Sequence, residues 1–151
     1  MNIRDAVEPD VKGIKSCVES AYRHYIERMG KPPMPMLTDY RISIKNNDVY
    51  VVEDKAMGIV GVLVLVISNE EFQLDNIAVH TSAQGKGVGK ALLQLAEKTA
   101  SESGFDHIEL YTHEKMQENI ALYKRIGYKI SGRVSEYGYD RVYMKKLLID
   151  V

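Results

Sequence analysis

Between Gln84 and Lys90 the chain sets glycines at 85, 87 and 89, with Lys86 and Val88 between them. Glycines at those positions remove side chains where a ligand would approach the backbone, and a helix beginning there offers N–H groups that have no intrahelical acceptor. Such a turn suits an anion. Each favourable charge at an exposed helix start contributes about 0.3–1 kcal/mol, so a pyrophosphate held by several amides would anchor a coenzyme, with Lys86 and Lys90 adding positive charge. Spacing separates the competing phosphate loops. The loop of nucleoside triphosphatases needs a glycine where Gln84 stands and Ser or Thr where Ala91 stands. The dinucleotide fingerprint needs a third glycine where Lys90 stands. Both fail.

Gln84-Gly85-Lys86-Gly87-Val88-Gly89 resembles the acetyl-CoA-binding motif of the GNAT superfamily of N-acetyltransferases, with Gln in place of the commoner Arg. Leu74-Asp75-Asn76-Ile77-Ala78-Val79-His80 looks like that family's strand before the loop, and Asn119 to Tyr128 looks like its later helix. The resemblance spans residues 2–147 and is weakest over the first helix and the loop after it. It implies a GNAT acyl-CoA N-acyltransferase fold, with a central mixed β-sheet flanked by helices. It also implies acetyl-CoA as co-substrate, held by Ile77, Ala78, Val79, Gln84, Gly85, Lys86, Gly87, Val88, Gly89, Lys90, Asn119, Leu122 and Tyr123. A non-catalytic acyl-CoA-binding sensor shares the same loop and stays open as the alternative.

The activity the resemblance implies, acetyl transfer to a primary amine of a small molecule or peptide, needs a neutral nucleophile, stabilisation of an oxyanion and a proton for the departing thiolate. A lysine-like amine costs about 4.6 kcal/mol to deprotonate at neutral pH and an α-amino group only about 1 kcal/mol, so a base matters most for the first class. Asp75 is the candidate base. A carboxylate of ordinary pKa accepts a proton poorly unless burial raises it, which favours a water relay over direct abstraction. His80 and His113 are the other titrating groups nearby. The resemblance implies that Tyr123 is the general acid to the thiolate, that the Ile77 or Val79 amide meets the oxyanion, and that Asn119 contacts the pantetheine arm.

The acceptor pocket is expected among Tyr22, Tyr25, Met36, Asp75, Asn76, Tyr111 and Tyr137, with Tyr139 and the rest of the Pro32–Leu37 loop nearby. Met34 and Met36 serve equally as pocket lip or as plugs at the core edge. His24 and Arg28 fall on the polar side of the first helix, where they either contact an acidic group or stay solvated.

These residues need a scaffold. Asn2 to Ala6 reads as a strand, followed from Pro9 by an amphipathic helix whose stripe runs from Val11 through Tyr22, Tyr25 and Met29 to Gly30. Pro32, Pro33 and Pro35 make the next stretch a stiff loop, and Thr38-Asp39 caps a short helix to Asn46. Val49–Glu53 and Ile59–Ile67 form an antiparallel hairpin, and Phe72–Val79 forms the next strand. A helix with Val88, Ala91, Leu92, Leu95, Ala96 and Thr99 on its apolar face follows, closed by Gly104. Strand His107–Thr112, helix Met116–Ile126 and a hairpin of Tyr128–Val134 with Tyr139–Leu147 complete the chain. The order calls for an α/β fold: a mixed sheet with helices on both faces, as a single domain over residues 1–151.

Composition narrows the partners. Twenty Lys and Arg against 21 Asp and Glu leave a net charge of −1 with no basic block, which argues against nucleic acid. No apolar run reaches the length of a membrane span or a signal peptide, so the expectation is a cytoplasmic, soluble protein without membrane partners. The single Cys17 falls on the first helix's stripe and reads as packing. No metal is expected. The resemblance allows a homodimer, although no exposed apolar strip demands one.

Overall fold

The β-branched runs pair as their alternation requires, and one local exception to that alternation shapes the middle of the sheet. A computed structural model describes residues 1–148; the last three residues of the expected domain lie outside the described residues. β1 (Asn2–Asp5), β2 (Asp48–Asp54), β3 (Gly58–Ile67) and β4 (Phe72–Val79) are antiparallel neighbours. β5 (His107–His113) lies parallel to β4, and β6 (Lys129–Glu136) with β7 (Tyr139–Leu147) completes a seven-stranded mixed sheet of order β1-β2-β3-β4-β5-β7-β6. A parallel pair needs a crossover, supplied by α4 (Val88–Glu102).

Two cores cover the two faces. On one, Val88, Leu92, Ala96 and Ala100 of α4 and Tyr123 of α5 (Gln117–Arg125) pack on Leu63, Leu65, Phe72, Leu74, Ile108 and Leu110. On the other, Ile14, Cys17, Val18 and Tyr22 of α1 (Val11–Tyr22), Tyr25 and Met29 of α2 (Tyr25–Met29) and Tyr40 of α3 (Tyr40–Asn46) pack on Val51, Val62, Val64 and Ala78. Each aliphatic side chain fully buried here contributes about 1.5–3 kcal/mol. Cys17 has no exposure, and burial pushes its thiol up to about 12, in keeping with a packing role. None of the described helices is long and apolar enough to cross a membrane.

The exception lies in β4. Its register against β3 runs Leu65 to Leu74 and Val64 to Asn76, so Asp75 is an extra residue in a β-bulge. A bulge inverts the facing of everything beyond it. Phe72 and Leu74 accordingly face the α4 core, whereas Ala78 faces the α1 core and Ile77 and Val79 turn toward α4.

The helix expected to run unbroken to Gly30 is interrupted at Arg23 and His24. The break lets Tyr22 reach β4 while Tyr25, three residues on, donates its hydroxyl to Glu118 on α5 at 3.0 Å. Gly30 ends α2 at φ 76°, as a left-handed cap. The proline loop contains one 3-10 turn, Met34–Met36, and Asp39 caps α3 by accepting the Arg41 N–H. The α4 stripe is shifted from the expected one: Ala100 joins Val88, Leu92 and Ala96 in burial, while Ala91, Leu95 and Thr99 lie at its margin.

Candidate active site

β4 and β5 hydrogen-bond only at Gln73 with Glu109 and Leu74 with Leu110, then separate. The gap begins at the bulge. The His80 N–H donates to Val60 O, and hydrogen-bonded pairs alternate along an antiparallel ladder, so Ala78 and Asn76 bond β3 while Ile77 and Val79 aim their amides and carbonyls into the gap. Both carbonyls are capped there by side chains: the Tyr22 hydroxyl lies 2.8 Å from Ile77 O, and Gln84 Nε2 donates to Val79 O at 3.3 Å. The two N–H groups face the gap without a side-chain acceptor among the described residues.

At the far end of β4 the glycine turn has the geometry its composition suggests. Gly85 and Gly87 adopt φ 77° and 86°, left-handed conformations that other residues enter at a cost of about 1–2 kcal/mol. Gly87 is the cap of α4, and the first helix bond is Ala91 N–H to Gly87 O. Among the described residues the N–H groups of residues 85–90 have no protein acceptor. Gly61 of β3 permits this docking, because a Cβ there would lie 2.7 Å from Val88 Cγ1. Gly89 has ordinary φ and its nearest obstacle is Val79 Cγ2 at 3.5 Å, so the absent side chain serves the open groove it lines rather than the fold.

Two cavities flank this splayed region. A long groove is lined by Ile77, Ala78, Val79, Gln84, Gly89 and Lys90 on the β4 side and by Asn119, Leu122 and Tyr123 of α5 opposite. An adjoining, smaller chamber is lined by Asp75, Asn76, Tyr111 and His113 from the strands and by Pro33 to Pro35 from the proline loop. Tyr22, Ile77, Asn119 and Tyr123 line both, so the cavities meet at these four residues.

The chamber's polar groups are unequal. Asn76 is buried and satisfied, with Oδ1 2.9 Å from the Tyr22 hydroxyl and Nδ2 donating to the Tyr40 hydroxyl at 2.9 Å. Asp75 has no hydrogen-bond or ion-pair partner among the described residues, and burial raises its pKa above the usual carboxylate value, opposed by the charge of Arg141. Burial also drives the Tyr123 hydroxyl upward, so the phenol stays protonated at neutral pH. His113 is pushed down by burial, and its Nδ1 already accepts the Lys115 N–H at 3.0 Å, which leaves no free basic nitrogen in the neutral ring. His80 lines neither cavity and accepts the Ser82 N–H instead.

Several expected residues sit elsewhere. Tyr137, at φ 52° in the β6–β7 turn, is 80% exposed and lines neither cavity, because the left-handed turn throws its ring outward. Met34 and Met36 both pack against the α1 core and Met34 also lines the chamber, so Met34 serves both readings and Met36 only the packing one. Tyr25 lines the groove rather than the chamber, drawn there by Glu118. Val88 buries its side chain in the α4 core, and neither Val88 nor Gly85, Lys86 and Gly87 line the groove, whose walls from this turn are Gln84, Gly89 and Lys90. Arg28 does contact an acidic group, Glu118 at 2.7 Å, and His24 lies with it on the groove.

Sequence reasoning missed Arg141, buried on β7 between the Tyr111 ring at 4.2 Å and the Tyr137 ring at 5.5 Å, and paired with Glu136. The alternation Tyr139, Arg141, Tyr143 around buried Val142 carries the signal that would have found it. Met29, Thr112 and Met116 were also missed as chamber walls.

Comparison with known proteins adds three findings. The acetyltransferase (GNAT) domain family matches residues 45–130. A probable N-acetyltransferase family 8 member 5 of Mus musculus is 29% identical over 70 residues, which cover 46% of this chain and 31% of that protein. The chain matches about a third of the length of the first curated relatives, 31%, 37% and 36% of each. Among solved structures, the PaiA N-acetyltransferase of Thermoplasma acidophilum in complex with coenzyme A superposes with a TM-score of 0.79 at 17% identity, covering 97% of this chain and 98% of that one. The ribosomal-protein-S18-alanine N-acetyltransferase of Escherichia coli gives 0.77 at 16% identity, covering 99% and 95%. At these identities the likeness is one of fold.

Proposed function

This chain belongs to the acetyltransferase (GNAT) family, and on that premise we propose that it transfers the acetyl group of acetyl-CoA to a primary amine by direct attack within a ternary complex. The observation that carries the reading is the meeting of groove and chamber at Tyr22, Ile77, Asn119 and Tyr123. The residues fit the coenzyme. Open amides at residues 85–90 and a glycine at 89 that leaves the groove clear suit a pyrophosphate, and the inward N–H groups of Ile77 and Val79 suit the amide-bearing arm and the thioester carbonyl. Bound there, acetyl-CoA supplies an activated acyl group.

The chain's own residues then divide the proton traffic. Asp75, unpaired and raised by burial, accepts the amine proton directly or through one water. The amine nitrogen bonds to the acetyl carbon, the carbon–sulfur bond breaks, and Tyr123 gives its phenolic proton to the departing sulfur. Tyr123 is suited to this because no protein group among the described residues hydrogen-bonds its hydroxyl, leaving it to face the junction. Ile77 and Val79 N–H groups are aimed where negative charge develops on the carbonyl oxygen, a contribution of about 3–4 kcal/mol where a single such donor is removed.

A thiol-release assay with acetyl-CoA against a panel of primary amines tests the reading. Release that depends on the amine supports transfer. Coenzyme binding without release for any acceptor would favour a sensor. We further propose that residues 1–151 act as one domain in solution.

A further inference from the structure

The formal charges that line the chamber are Asp75, Arg141 and, when protonated, His113. His113 is depressed by burial and neutral at physiological pH. Arg141 is already neutralised, its Nη1 donating to Glu136 Oε1 at 2.7 Å while its guanidinium stacks on Tyr111. Asp75 alone keeps a charge with no partner among the described residues. A carboxylate with no protein counter-charge in direct contact is costly in a mostly buried site, so the chamber favours a cationic guest over a neutral or anionic one. Glu118, the other carboxylate near the junction, is taken by Arg28 and Tyr25.

Asn76, Thr112 and Asn119 are the uncharged polar residues of the lining, and the rest of the wall is apolar or aromatic, with Met29, Met34 and Met116, the prolines 33 and 35 and the tyrosine rings. Methionine walls adapt to irregular apolar shapes. The rim is tied on one side. Tyr139 donates its hydroxyl to Pro32 O at 2.7 Å, and Lys31 donates to Gly138 O while its Nζ lies 4.1 Å over the Tyr139 ring. These contacts fasten the proline loop to the β6–β7 turn, and the fixed φ of successive prolines gives the loop little freedom to part from it. An extended polypeptide entering from that side would meet a joined rim.

Resting on the acetyl-transfer reading, we propose that the acceptor is a small primary monoamine with an apolar body, its ammonium seated at Asp75 and its body against the methionine and proline walls. Amino acids would bring a carboxylate toward Asp75, polyamines a second cation with no counter-charge, and lysine peptides a chain that the rim obstructs.

The test compares 2-phenylethylamine with its neutral isostere 2-phenylethanol by titration calorimetry on the whole chain, with and without coenzyme A, in wild type and Asp75→Asn. The expected result is amine binding at least about tenfold tighter than the alcohol in wild type, falling below about threefold in Asp75→Asn. In the thiol-release assay, kcat/KM for 2-phenylethylamine should exceed that for phenylalanine, spermidine and a lysine peptide by about tenfold or more. Equal binding of amine and alcohol by wild type, binding of neither, discrimination that survives in Asp75→Asn, or preference for any of the other acceptors overturns the proposal. Coenzyme binding measured alongside separates the two levels: its presence with any of these outcomes sinks only the acceptor class, and its absence sinks the transfer reading itself.

Discussion

The Tyr22 hydroxyl stands 2.8 Å from the Ile77 carbonyl oxygen and 2.9 Å from Asn76 Oδ1, and so fastens α1 to β4 at the point where groove and chamber join. Tyr22→Phe removes the only side-chain donor to Asn76 Oδ1 among the described residues and leaves a buried acceptor unsatisfied. A loss of about 1–3 kcal/mol is expected in urea unfolding at unchanged m-value. An unchanged midpoint would mean that this bond does not anchor the helix.

Tyr123 should behave in the opposite way. Its hydroxyl has no protein partner among the described residues, while its ring is buried with Tyr128 at a centroid distance of 5.6 Å. Tyr123→Phe is therefore expected to keep its unfolding midpoint and its affinity for acetyl-CoA, and to lose about a hundredfold in kcat. Loss of binding in step with turnover would mark a packing role.

Gly61→Ala tests how β3 sets the glycine turn. The new methyl would stand 2.7 Å from Val88 Cγ1 and 3.1 Å from Val52 Cγ2, so the first turn of α4 must shift. Destabilisation of about 1–3 kcal/mol is expected, together with weaker acetyl-CoA binding, since the proposed coenzyme site uses the open amides that would shift. Titration calorimetry and thermal unfolding on the same sample check both.

Asp75, the proposed base, costs the fold stability. Burial raises its pKa in the folded chain above the ordinary 3.8, so the fold holds that proton more tightly than the unfolded chain does. The carboxylate's cost is therefore fully present above the folded pKa and absent below the unfolded one. Asp75→Asn should be more stable than wild type at neutral pH, with the gain shrinking as pH falls toward the ordinary carboxylate range, while kcat/KM falls. Unfolding midpoints measured across that range decide it; a variant less stable than wild type at neutral pH contradicts the absence of a partner.

The elements were legible because period and punctuation agree locally. Gly30, Gly104 and Gly127 carry positive φ close to the helix ends where they were expected, and the β-branched run 59–67 is the buried strand β3, third in the sheet. What stayed hidden is tertiary. Nothing in Arg23-His24 marks a helix break; it exists because Tyr22 and Tyr25 answer to different partners. Nothing in Leu74-Asp75-Asn76 marks a bulge, yet it inverts the facing of β4 and puts Asp75 on the chamber. Tyr137 looked like a wall by neighbourhood alone, and a left-handed turn takes it into solvent. Gly61, by contrast, was readable as a glycine isolated in a strand, a pattern that signals close approach of another backbone or side chain.

The proposed function requires acetyl-CoA to be held by the gap between β4 and β5 together with the open amides of residues 85–90. Calorimetric titration of acetyl-CoA into the wild-type chain and into Gly87→Val tests it most directly. We predict one site per chain, with an affinity that weakens as salt rises and falls at least about tenfold in Gly87→Val, where a β-branched residue cannot hold the left-handed cap. No heat at any coenzyme concentration, or equal affinity in the variant, would contradict it.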